Sequence, residues 1–122
     1  MRMARMIPGA LGASLLLGQL AWADEVGPPL SGTEIMQVIV EHLVERITPD
    51  GQSFKSIYNQ DGSLVGADGT TGTWRIDGNN LCSTAVGSAE VCGTLHKLGV
   101  RKFQFIRIDG KGSFVLLVKK SP

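Results

Sequence analysis

The groups in this chain able to do acid–base, nucleophilic or metal chemistry are few. They are two histidines, His42 and His96, two cysteines, Cys82 and Cys92, and eleven Asp and Glu residues. A histidine-based catalytic site needs that histidine beside a nucleophile and an orienting carboxylate, and no Gly-x-Ser-x-Gly elbow or other nucleophile signature is present; nothing singles out two acids in apolar surroundings for glycoside hydrolysis. His42 falls on or beside an apolar helical stripe and His96 within a strand-like run, where histidines are ordinarily packed or solvated. Two histidines without free cysteines make a poor zinc set. No Asp-x-Asp/Asn-x-Asp/Asn-Gly run occurs, so the Asp-Gly pairs read as turns rather than calcium loops. The glycines serve those turns, which leaves no phosphate-cradling or dinucleotide fingerprint. The expectation is therefore no catalytic residue, no metal and no cofactor.

The cysteines have a different use. Cys82 and Cys92 are symmetric about Gly87, and a hairpin with its tip at Val86, Gly87 and Ser88 would set them face to face. A disulfide closing so short a loop contributes roughly 3 kcal/mol through the unfolded state. Redox catalysis is excluded because the pair is not Cys-x-x-Cys.

Charge is unevenly spread. From Asp24 to Thr94 there are ten acids and three bases (Arg46, Lys55, Arg75), and from Leu95 onward seven bases and only Asp109. Arg101, Lys102, Arg107, Lys119 and Lys120 form a candidate basic surface for an acidic partner, unless strands of the two halves lie side by side and their charges pair. Trp74, Phe103 and Phe105 either line a barrel interior that carries an apolar ligand or are ordinary core.

The elements that must position these groups begin after a leader. Arg2 and Arg5, an apolar run from Met6 to Leu20, and Ala21-Trp22-Ala23 have the order of a secretory signal, with Ala21 and Ala23 at the positions a signal peptidase inspects. The run is shorter than the roughly 20 residues of a membrane span and contains Pro8, Gly9 and Gly12. Removing 23 of the 122 residues leaves 99, with no second stretch long enough to span a membrane. Three segments are expected: a signal peptide (1–23), a flexible lead-in (24–30) and a single small β-rich domain (31–122).

Ser31-Gly32-Thr33-Glu34 has capping-box spacing, and Ile35, Val38, Ile39 and Leu43 follow the period of one buried helical face. The β-branched Val38, Ile39, Val40 and Val44 shorten that helix and predict a handover to strand near His42. Asp50-Gly51, Asp61-Gly62, Asp68-Gly69, Asp77-Gly78 and Asp109-Gly110 then punctuate eight runs of β-formers, with both residues of each pair expected to accept positive φ. The runs are 43–48, 53–59, 63–67, 71–77, 81–86, 90–98, 102–109 and 113–119. They predict a mainly β fold: an antiparallel meander or small barrel-like sheet with one N-terminal helix. Apolar residues on both faces of the last two runs, from Phe103 to Ile108 and from Phe114 to Val118, predict burial from two sides.

The stretch Thr71-Gly72-Thr73-Trp74-Arg75-Ile76-Asp77-Gly78-Asn79-Asn80-Leu81-Cys82, with Cys92, Leu30-Ser31-Gly32-Thr33-Glu34-Ile35 and Tyr58-Asn59-Gln60-Asp61-Gly62, resembles a known group. It is similar to the small exported proteobacterial proteins of domain-of-unknown-function family 995 and their relatives. The resemblance spans most of the mature chain and implies a periplasmic or secreted β-domain without an assigned activity. Gly72-x-Trp74 is also similar to a piece of lipocalin barrels, where it sits near the start of the barrel rather than the middle.

The functional expectation is a non-enzymatic exported binding or interaction module, such as an inhibitor of an envelope enzyme, with an acidic envelope protein as partner. The alternatives are a lipocalin-like carrier of a small apolar ligand and an enzyme of unfamiliar type with His42 or His96 as base. Nucleic acid is not an expected partner, given export and a mature charge near neutrality. The intact mass of the natural product should correspond to a chain beginning at about Asp24, with two thiols that alkylate only after reduction. A retained initiator end, or thiols that alkylate without reductant, would contradict the export reading.

Overall fold

The computed structural model describes residues 26–119. The expected signal peptide with Ala21 and Ala23, residues 24 and 25, and Lys120 lie outside them. One helix and eight strands follow in order: α1 (Gly32–Ile39), β1 (Leu43–Ile47), β2 (Ser53–Tyr58), β3 (Ser63–Gly66), β4 (Thr71–Asp77), β5 (Asn80–Ala85), β6 (Val91–Gly99), β7 (Lys102–Arg107) and β8 (Ser113–Lys119). Each strand pairs antiparallel with the next, and β1 pairs with β8, so the sheet closes into a barrel. Closure leaves the sheet without an open edge to template aggregation.

The helix begins as its sequence dictates. The Ser31 hydroxyl accepts from the Glu34 N–H, and the Glu34 carboxylate accepts from the Ser31 N–H, so two N–H groups without helical partners are satisfied reciprocally. It ends at Ile39, because Val40 is extended and Glu41 takes a left-handed φ of 64°. Leu43 accordingly opens β1 instead of extending the helical stripe. Ile35 and Ile39 are fully buried and pack with Tyr58, Trp74, Leu81, Leu95 and Leu116. Gly32 lies against the β4–β5 turn so closely that a Cβ there would meet the Gly78 carbonyl at 2.4 Å. The helix thus plugs the barrel end where the 59–62, 78–79 and 100–101 turns lie. The opposite end, framed by the turns at 48–52, 67–70, 86–90 and 108–112, has no helix over it.

Three expectations change. Residues 27–30 do not hang free: Leu30 donates to the Leu95 carbonyl, Pro29 bridges His96, and a ring nitrogen of His96 lies 2.8 Å from the Gly27 carbonyl oxygen. The reason is register. β5 pairs only with Val91–Gly93, leaving the same side of β6 open from Thr94 onward, and this segment fills it. The last strands are buried on one face only, with Phe103, Phe105, Leu116 and Val118 inside, whereas Ile106 and Ile108 are exposed because the helix covers an end and not a side. In the Asp-Gly turns only glycine takes positive φ, 92° at both Gly62 and Gly69. At Asp61, Asp68 and Asp109 the aspartate instead folds its carboxylate onto the residue after glycine. Asp61 accepts from the Ser63 N–H and hydroxyl, and Asp68 accepts from those of Thr70.

Cys82 and Cys92 stand opposite each other in the β5–β6 ladder and form the disulfide, with Cα atoms 4.0 Å apart. Arg75 donates to both carboxylate oxygens of Glu90, whose carboxylate lies within 4.8 Å of the sulfurs.

If Ile39 anchors the plug, Ile39→Ala should cost about 2–5 kcal/mol. Met36→Ala, on the exposed helix face, should stay within about 0.5 kcal/mol. Urea unfolding of both variants checks this, and equal costs would place the buried face elsewhere.

Candidate functional site

Strand alternation decides which side chains enter the barrel. Val44 and Arg46 of β1, Phe54, Ser56 and Tyr58 of β2, Ser83 and Ala85 of β5, Val91 of β6, Arg107 of β7 and Phe114 of β8 share the inner face with the core. Near the helix this face carries Trp74, Leu81, Leu95, Phe103 and Phe105, which fill the space. Toward the open end β3, β4 and β5 turn only small residues inward, Gly66, Gly72, Ser83 and Ala85, and a cavity of about 690 Å³ remains. Its walls include Val44, Leu64, Val91 and Phe114 as apolar surface, and Arg46, Ser56, Tyr58, Ser83 and Arg107 as polar groups. Small-molecule pockets typically measure about 300–1,000 Å³ and combine an apolar lining with a few convergent polar groups.

Arg46 lies between two aromatic rings, with its guanidinium carbon 4.7 Å from the Phe54 centroid and 5.3 Å from that of Phe114. Arg107 is held differently, donating through Nε and Nη2 to the Asp109 carboxylate at 3.1 and 2.6 Å. That contact with Arg107, aided by the Lys111 N–H, holds the Asp109 carboxyl below its usual pKa. Tyr58 is only 8% exposed. Burial pushes its hydroxyl up to about 12, with the Arg46 charge opposing the shift. The Trp74 indole, edge-on to Tyr58, donates to the Asn59 carbonyl, whereas the Tyr58 hydroxyl has no hydrogen-bond partner among the described residues.

The residues singled out from sequence are dispersed. Arg101, Lys102 and Lys119 are at the helix-plugged end, Lys119 pairing with Glu45 at 3.3 Å, while Arg107 is at the open end and points inward. Arg107 therefore stands apart from the other three. Trp74, Phe103 and Phe105 are core residues beneath the cavity. His96 contacts the Thr94 hydroxyl and the Gly27 carbonyl, and His42 contacts the Val40 carbonyl beside a smaller hollow of about 320 Å³ at the helix end. Neither histidine lines the larger cavity. Among the described residues the one grouping with metal-ligand spacing is Cys82, Glu90 and Cys92, and both of its sulfurs are taken by the disulfide.

Arg46, Tyr58 and Phe114 were not singled out from sequence. One signal was there: in Leu43-Val44-Glu45-Arg46-Ile47 a period of two puts Arg46 on the face of Val44, hence on the inner face of the barrel, where it stands exposed at the open mouth.

The fold and cavity together define an eight-stranded antiparallel barrel, plugged at one end and open at the other. Comparison of the chain with protein-family models, with curated proteins and with solved structures finds no significant match in any of the three. The reading of the site rests on its own geometry.

Tyr58 is the sole tyrosine, so its ionisation is directly visible in the ultraviolet. The folded protein's tyrosinate should appear with a midpoint at about pH 12, against 10.0 for an ordinary tyrosine. Because the folded state then holds this proton more tightly than the unfolded chain does, stability should fall as pH rises from about 10 through about 12. A folded-state inflection near 10 would mean that the hydroxyl is solvated.

Proposed function

We propose that this protein is an exported, non-enzymatic binding module whose barrel takes up a small molecule through its open end. The cavity carries this reading: an open-ended space inside the barrel where the apolar Val44, Leu64, Val91 and Phe114 share the wall with Arg46, Ser56, Tyr58, Ser83 and Arg107. A disulfide persists in an oxidising compartment, which supports a periplasmic or secreted location. The plugged end supports rigidity, since a barrel held by a full ring of strand pairs can keep a pocket open without a ligand. The separation of Arg107 from Arg101, Lys102 and Lys119, and the pairing of Lys119 with Glu45, lend less support to an acidic protein docking on one basic face of all these residues.

Native mass spectrometry of the protein from a periplasmic extract tests this. A bound small-molecule mass should accompany the wild-type chain and be lost in Ser83→Phe, which fills the cavity from β5. If the extract yields only a protein partner, retained equally by Ser83→Phe, the cavity reading falls and the docking reading takes its place.

A further inference from the structure

The cavity has a polarity that selects its contents. Its lining contains the basic residues Arg46, Lys55 and Arg107 against one acid, Asp68, at the rim. Asp68 is engaged by Thr70, accepting from its N–H at 3.0 Å and its hydroxyl at 2.7 Å. Arg107 is already neutralised by Asp109. Arg46 is not: among the described residues no carboxylate comes within salt-bridge distance of it, and its contacts are the faces of Phe54 and Phe114. Two aromatic faces hold a guanidinium in place without consuming its five N–H donors. A second donor turns toward the same space, since Tyr58 lines the cavity, is more than nine-tenths buried, and leaves its hydroxyl without a partner among the described residues. A buried hydroxyl without a hydrogen bond carries a desolvation cost that a ligand acceptor would remove.

We propose that the ligand is a single-headed organic anion, a carboxylate or sulfonate with an apolar body. Arg46 and the Tyr58 hydroxyl hold its head, and Val44, Leu64, Val91 and Phe114 take its body. An inorganic anion would leave that apolar wall uncovered, and a neutral hydrocarbon would leave two donors unanswered. This inference rests on the reading that the cavity admits a small molecule.

Two fluorescent probes with one aromatic body separate the questions: 8-anilinonaphthalene-1-sulfonate, and the neutral N-phenyl-1-naphthylamine that lacks its sulfonate. Both should bind the mature protein, and Ser83→Phe should remove both. Arg46→Gln should weaken the sulfonate by roughly tenfold while leaving the neutral probe within about twofold, the scale of one lost charge-assisted hydrogen bond. Tyr58→Phe should shift the preference in the same direction by a smaller factor and, lacking only a hydroxyl, serves if Arg46→Gln is unstable. Decanoate should displace the sulfonate probe at lower concentration than decanol. If neither probe binds, the small-molecule reading itself is overturned. If both bind but Arg46→Gln and Tyr58→Phe leave their ratio unchanged, the pocket stands and its anion selectivity is overturned.

Discussion

Pairing of the first strand with the last is the contact on which the rest of the molecule depends. The register from Leu43↔Lys119 to Ile47↔Val115 turns a row of hairpins into a ring and so creates an interior. The candidate site straddles this seam. Arg46 enters from β1 and one of its two aromatic neighbours, Phe114, from β8, more than sixty positions away in the chain. Without closure these side chains would sit on opposite edges of an open sheet, and the backbone groups of both strands would be exposed for pairing with other chains.

Within the ring, residue size divides filled space from empty space. Leucines, phenylalanines and Trp74 occupy the half next to the helix, and Ile35 and Ile39 complete that layer from the end. Gly93 permits the packing, for a Cβ there would meet the Phe105 ring at 2.5 Å. On the open side the inward positions of β3, β4 and β5 are Gly66, Gly72, Ser83 and Ala85, too small to meet across the barrel. The cavity follows from that choice of small residues in a sheet whose width is already fixed by its eight strands. The disulfide and the Arg75–Glu90 pair secure the β5–β6 hairpin beside the same opening.

The ion pairs of the barrel are local. Lys119 with Glu45 joins the basic end of the chain to the acidic part across the closing seam, as side-by-side strands would require. Arg75–Glu90 and Arg107–Asp109 pair within their own halves. Exposed pairs of this kind contribute little to stability. Their effect on the site is subtractive, because they occupy cations such as Arg107 and leave Arg46 as the lining arginine without a carboxylate among the described residues.

Local chemistry settled the elements. The capping box at Ser31 and Glu34, the β-branched end of the helix, the Asp-Gly turns and the facing cysteines are read within a few residues, and each stands in the structure close to where the sequence places it. The alternation that sets Trp74 and Ile76 on one face of β4 is equally local. Register and closure belong to the tertiary structure alone. The free side of β6 that captures residues 27–30 comes from a difference in pairing length between neighbouring strands. The outward fate of Ile106 follows from where the helix settles, and the meeting of Arg46 with Phe114 from a contact between the first and last strands. A period of two tells which residues share a face of one strand, but not which face becomes the inside. That is decided only when the last strand meets the first and the ring acquires an interior.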